Sequence, residues 1–192
     1  QVLNFFSINT DFDLELMTKN QSLLELTANA SIKINSIIQE TTPDLIFVQG
    51  DTTTAFIGAL AGFYNKIPVA HLEAGLRSFN LSSPFPEEGN RKLIGTIATY
   101  HFTPTEKASQ NLKEEKINQN IFQVGNTVID ALLLTLQTIK KNGLAQKFEE
   151  KHQLLKQFDK HILITAHRRE SFGAPFEELC NTIKKLAEQN PT

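Results

Sequence analysis

The sequence predicts an α/β fold built on a doubly wound parallel sheet, and three observations carry that expectation. Short apolar runs alternate with longer segments of helical periodicity, with no hairpin signal between them. The first run, Leu45, Ile46, Phe47 and Val48, is continuously apolar, the pattern of a strand buried on both faces of a parallel sheet. Successive runs end in charged residues: Asp51 after the first, Glu73 after residues 67–72, and His167, Arg168, Arg169 and Glu170 after residues 161–166. Ligands of open parallel sheets bind at the carboxyl ends of the strands. Two acids and a His-Arg-Arg cluster at three such ends describe a site for an anionic substrate whose chemistry moves protons.

The elements follow in order. Residues 1–20 are mixed, with apolar Val2, Leu3, Phe5 and Phe6 ending a helix. Leu23, Leu26, Ala30, Ile34, Ile37 and Ile38 recur at spacings near three and four, so residues 21–40 form an amphipathic helix. Pro43 stops it by excluding Thr42 from helical geometry. A strand at 45–49 leads to a helix at 53–64, for which Asp51 is a ready N-cap. A strand at 68–72, a helix at 87–98, a strand at 100–103 and a helix at 105–114 follow. A strand at 121–124 then leads through Gly125-Asn126-Thr127 into a helix reaching Lys141. These segments make a first domain over residues 1–140. Residues 141–160 lose apolar density and form an interdomain connection with a short surface helix. Residues 161–192 are the first β-α unit of a second domain: a strand at 161–166, then a helix whose stripe of Phe176, Leu179, Cys180, Ile183 and Leu186 packs inward.

Composition excludes several functions. A net charge of −2 and a pI near 6.2, without a basic cluster, speak against nucleic acid as a partner. No apolar run approaches the roughly 20 residues that span a bilayer. The one cysteine, Cys180, cannot form an internal disulfide, so a reducing cytoplasm is the expected location. The chain starts at Gln1 and stops at Asn190-Pro191-Thr192, after a helical segment where another strand is due. The expectation is a piece cut at both ends.

Each candidate residue has a structural reading beside the chemical one. Asp51 reads as a helix N-cap. Glu73 reads as half of an ion pair with Arg77, although a carboxylate closing a buried strand has to be paired, protonated or functional. Glu87 and Glu88, after the stiff Pro84-Phe85-Pro86 segment, read as acids at a helix start. Arg91 could pair with Glu87 at i,i+4 or reach a phosphate. The 167–169 cluster suits diphosphate oxygens. Metal binding has only the weak pair His71 and Glu73, and no Gly-x-Gly-x-x-Gly or Walker loop supports NAD or ATP.

Five motifs in order are GDTTT (50–54), HLEAGLR (71–77), SPFPEEGNR (83–91), GNTVIDAL (125–132) and TAHRRESFG (165–173). On these motifs the chain resembles the non-hydrolysing UDP-N-acetylglucosamine 2-epimerases of bacteria. The resemblance implies two Rossmann-like domains in the GT-B-like arrangement shared with one class of glycosyltransferases. The family's first strand and its Gly-Thr-Arg-Pro-Glu loop are absent here, as is most of the second domain with its UDP-holding segment. It implies interconversion of UDP-GlcNAc and UDP-ManNAc through a 2-acetamidoglucal, supplying sugar for cell-surface polysaccharide, with no cofactor and no metal. It implies Asp51, Glu73, Glu87 and His167 as catalytic residues, and Arg91, His167 and Arg168 as substrate contacts. A homodimer is implied for the intact protein. Thr52, where UDP-GlcNAc hydrolases carry Arg, speaks against hydrolysis, and Leu76 favours the plain UDP-GlcNAc branch. A histidine usual in the family before Gly-Asp is Gln49 here. The alternatives are a UDP-sugar glycosyltransferase on the same fold, or a nucleotide-sugar sensor without turnover.

Overall fold

The computed structural model describes residues 2–158, 161–165 and 173–189. The chain divides into two compact units, Gln1–Asn126 and Thr127–Thr192. This division falls before the helix at 127–141, whereas the sequence reading placed it after that helix.

In the first unit, α1 (Val2–Phe5) precedes α2 (Leu23–Thr41). Ser22 caps α2 by accepting from Glu25 N–H, and the Glu25 carboxylate accepts in turn from Ser22 N–H. Ala30 and Ile38 face inward. The helix stops at Thr42, which takes left-handed geometry (φ 42°) before Pro43. There follow β1 (Ile46–Gln49), α3 (Thr53–Tyr64), β2 (Val69–Leu72), α4 (Glu87–Ile97), β3 (Tyr100–Thr103), α5 (Glu106–Glu114) and β4 (Ile121–Gln123). The strands are all parallel and lie in the order β1-β2-β3-β4. The fold is α/β and Rossmann-like, as the sequence indicates.

This strand order has a consequence. Right-handed crossovers that all step the same way along a sheet deliver their helices to one face. Accordingly α2 packs on α3, α3 on α4, and α3 against β1 and β2. The side chains on that face form the core: Val48, Val69, Ala55, Ala59 and Ile94, with Ile46, Phe56 and Ile97 beside them. Full burial of a side chain such as Ile94 contributes about 1.5–3 kcal/mol. Gly62 lets α3 approach closely, because a Cβ there would lie 2.6 Å from Val69 Cγ2.

The other sheet face is open. Phe47 is 62% and Phe122 46% exposed. Their rings stack on Phe102, with centroids 5.9 and 5.6 Å away. This corrects the expectation that β1 is buried on both faces. An apolar run reports hydrophobicity but not strand order, and the order here leaves one face without helices.

The second unit holds α6 (Thr127–Lys141), α7 (Leu144–Lys151), a 3-10 turn (Gln153–Gln157) and α8 (Ala174–Gln189). Two expectations are corrected here. Residues 161–165 form no strand, since a strand needs a neighbour to take its backbone hydrogen bonds and β1–β4 pair only among themselves. Cys180 and Leu179 on α8 are exposed rather than packed, and α8 buries no residue. Among the described residues, no helix is long and apolar enough to cross a membrane.

Candidate functional site

The site forms where β1 and β2 end side by side. Gln49 pairs with Leu72, and Gly50 N–H donates to Leu72 O at 3.0 Å, so Asp51 and Glu73 leave the same end of adjacent strands. Gly50 sits at φ +73°, which an L side chain tolerates poorly.

Asp51 is not the N-cap of α3. Thr52 takes that role, its hydroxyl accepting from Ala55 N–H at 3.2 Å. Asp51 is thereby freed, and its Oδ2 accepts from Arg91 Nε at 2.9 Å and lies 2.7 Å from Arg91 Nη2. Asn90 Nδ2 donates to Asp51 O at 2.8 Å.

Glu73 is not the partner of Arg77 either. Arg77, its side chain fully buried, forms a two-pronged pair with Glu115 at the end of α5, through Nε (2.9 Å) and Nη2 (2.6 Å). Glu73 instead occupies left-handed backbone geometry at φ +68°, a conformation costing a non-glycine residue about 1–3 kcal/mol. Burial pushes its carboxyl pKa above the ordinary value; the nearby Asp51 charge adds to the rise and Arg91 opposes it. The strained backbone and raised carboxyl at a strand end make Glu73 a candidate site residue.

Helix α4 supplies the third side. Glu88 is fully buried and accepts from Ser78 N–H (2.9 Å), Phe79 N–H (3.1 Å) and Arg91 Nη1 (3.2 Å). Burial alone would raise its pKa, but the two backbone donors and the guanidinium outweigh it and hold the carboxyl below its ordinary value. Arg91 thus joins Glu88 at i,i+3 to Asp51, and the pairing with Glu87 at i,i+4 does not form. Glu87 is the first residue of α4, half-buried, and its side chain has no hydrogen bond or ion pair among the described residues. A carboxylate left free beside a paired one is available to a ligand.

His71, fully buried on β2, makes a 2.8 Å hydrogen bond to Gly50 O. Burial is the main cause that brings its pKa down to about 4; the Gly50 contact opposes it, and the neighbouring His101 and Arg77 charges assist. Its Nε2 is committed to a backbone carbonyl, so the His71–Glu73 pair offers little to a metal.

The structure therefore brings Asp51, Glu73 and Arg91 together, with Glu87 one helical turn before Arg91. His167 and Arg168 lie outside the described residues. The sequence reading named Glu88 and His71 in other roles and passed over Asn90, so it missed all three as clamps. A signal existed for Asn90 and Arg91, which adjoin in the motif 83–91; nothing local pointed His71 toward Gly50.

Comparison with known proteins adds the family context. The family model described as UDP-N-acetylglucosamine 2-epimerase matches residues 1–192. Similar curated relatives carry that name in Neisseria meningitidis (44% identical over all of this chain and 52% of that protein) and Escherichia coli K12 (46% identical over 97% of this chain and 50% of that protein). The crystal structure of the Neisseria meningitidis UDP-GlcNAc 2-epimerase bound to UDP-GlcNAc superposes with a TM-score of 0.94 at 43% identity, over 98% of this chain and 51% of that one. The Methanocaldococcus jannaschii UDP-GlcNAc 2-epimerase in complex with UDP-GlcNAc and UDP superposes at 0.86 with 35% identity, over 97% of this chain and 50% of that one. The chain spans about half the length of the relatives it matches.

Proposed function

This chain belongs to the UDP-N-acetylglucosamine 2-epimerase family, and from that premise we propose that the intact protein interconverts UDP-GlcNAc and UDP-ManNAc. The observation that carries the proposal is the pair Asp51 and Glu73, on adjacent strand ends, with Arg91 fixing the first and burial raising the second. Inverting a carbon that bears hydrogen by acid–base chemistry takes a proton from one face and returns one to the other. Two carboxylates held in different environments suit an acid and a base working in turn.

The proposed course balances as follows. A base removes the C2 proton. The C–H electron pair forms the C1=C2 double bond of a 2-acetamidoglucal, and the C1–O bond breaks with its electrons going to UDP. A proton then adds to the opposite face of C2, and UDP re-adds at C1. Asp51, Glu73 and Glu87 are the proposed acid and base groups. His167, Arg168 and Arg91 are the proposed partners of the departing diphosphate, whose stabilisation lowers the barrier. Arg91, engaged by Asp51 and Glu88, contributes from that pair. No redox cofactor enters this balance. The domain plan proposed is a first Rossmann-like domain to about residue 140, a connection over 141–160 and a second domain from 161. Leu24, Ile32, Phe63 and Tyr64 leave apolar surface exposed on α2 and α3 for a homodimer. A cytoplasmic enzyme supplying activated sugar for surface polysaccharide is the setting this chemistry suits.

The test is product analysis of the intact protein incubated with UDP-GlcNAc and no acceptor. Formation of UDP-ManNAc supports the proposal. UDP release only on addition of a sugar acceptor indicates a glycosyltransferase, and binding without turnover indicates a sensor; either overturns it.

A further inference from the structure

We infer that His71 is a positioning residue for Asp51, acting through the Gly50 carbonyl, and that Asn90 completes the same clamp; this rests on Asp51 having the role proposed above. A carbonyl oxygen only accepts, so the 2.8 Å contact fixes the proton of His71 on Nε2. Nδ1 then carries a lone pair, and it is buried without a hydrogen-bond partner among the described residues. An unpaired buried nitrogen is unfavourable, and an apolar side chain of similar volume would avoid that cost. The unfavourable group stands where its other nitrogen grips the peptide before Asp51. Core packing alone gives no reason to choose histidine there.

The geometry around that peptide is closed on several sides. Gly50 donates its N–H to Leu72 O and receives His71 on its carbonyl, so both ends of the residue are tied to β2. Asn90, itself buried, holds the next carbonyl, that of Asp51, from α4. Arg91 holds the Asp51 carboxylate. Two successive carbonyls and one carboxylate are therefore fixed by three side chains from two different elements. At the left-handed turn the β1–β2 ladder ends with the Gly50 N–H, and the side-chain clamps hold the Gly50 and Asp51 carbonyls beyond it. His71 stays neutral through the working range, with burial the main cause and the Gly50 contact opposing; it donates a hydrogen bond and adds no charge beside Asp51.

A residue that only stabilised the fold would change melting temperature and leave turnover per folded molecule alone. A residue that aims a reacting carboxylate changes turnover, because a misplacement of about 1 Å can cost on the order of 100-fold. The experiment uses the intact protein with UDP-GlcNAc as probe and compares wild type, His71→Leu, His71→Gln and His71→Asn by kcat, KM and thermal melting. Gln extends a donor to about the Nε2 position, whereas Asn falls short of Gly50 O. The expected result is that His71→Leu folds and loses roughly 10- to 100-fold in kcat with KM within about threefold. His71→Gln should recover at least tenfold over Leu, and over Asn should Leu fail to fold. A kcat for His71→Leu within twofold of wild type, or Gln no better than Asn, overturns the inference. A wild-type protein that makes no UDP-ManNAc instead overturns the proposed function, so the two failures are told apart by the wild-type arm.

Discussion

Glu88→Gln is the perturbation whose size the structure allows to be worked out. The carboxylate is fully buried, with Oε1 accepting from Phe79 N–H at 3.1 Å and Oε2 accepting from Ser78 N–H at 2.9 Å and Arg91 Nη1 at 3.2 Å. An amide keeps one oxygen. The better orientation leaves that oxygen on Ser78 and Arg91 and turns the NH₂ toward Phe79 N–H. One charged hydrogen bond is lost, worth about 1.5–3 kcal/mol, and a buried donor now faces a donor at a cost of about 1–3 kcal/mol. Relaxation of the loop at 78–79 recovers part of this, so the net loss is about 3 kcal/mol, or roughly 6–12 °C in the Tm of a domain of about 150–250 residues. The assay is thermal melting of intact wild type and variant between pH 3.5 and 8. The folded pKa of Glu88 is lowered from 4.5, so its stabilisation is fully present above 4.5 and is lost as pH falls through the lower folded value. The gap between wild type and variant should therefore be constant from pH 6 to 8 and narrow below 4.5. A shift under about 2 °C at pH 7, or a gap that widens on acidification, would refute the reasoning.

The remaining predictions concern the site and the open sheet face. Asp51→Asn, Glu73→Gln and Glu87→Gln should each lower kcat of the intact protein by about 10²–10⁴ while moving KM far less, as steady-state kinetics will read; near wild-type turnover in two of the three would leave them as structural acids. Because burial and then the Asp51 charge raise the Glu73 pKa above 4.5, a Glu73 acting as base must be deprotonated. Its acid limb in kcat/KM should fall above pH 4.5 and vanish in Glu73→Gln. The 192-residue chain alone is expected to associate in solution and to leave UDP-GlcNAc unchanged. Phe47, Phe122 and Val124 leave one sheet face apolar and exposed, and β1 is an edge strand. Sedimentation showing a monodisperse monomer would contradict this.

Much of the fold was legible because helices and strands declare themselves locally. The period of α2, the Pro43 stop and the helix beginning near Thr53 all rest on neighbours within a few residues. The two acids at strand ends were legible for the same reason: a charge that terminates an apolar run can be read without the fold. What could not be read were partners. Arg77 finds Glu115 across 38 positions, and Asp51 finds Arg91 across 40. Local spacing favoured Arg77 with Glu73 and Arg91 with Glu87, and both pairings were replaced by tertiary ones. The capping duty moved from Asp51 to Thr52 because either side chain suits the role and the arginine on α4 decides between them. The open face at Phe47 follows from strand order, and the missing strand at 161–165 from the lack of a neighbour. Neither property is written in the residues of the segment itself.

The central claim is that the carboxylates at the β1 and β2 ends move a proton at C2 of the sugar. Its most direct measurement is incubation of the intact protein with UDP-GlcNAc in deuterated water, followed by proton NMR and mass spectrometry of the nucleotide sugars. Proton transfer at C2 by these carboxylates predicts UDP-ManNAc carrying deuterium at C2, and recovered UDP-GlcNAc gaining it as the reaction runs back. UDP-ManNAc that retains the original C2 hydrogen, or no exchange and no epimer at all, would contradict it.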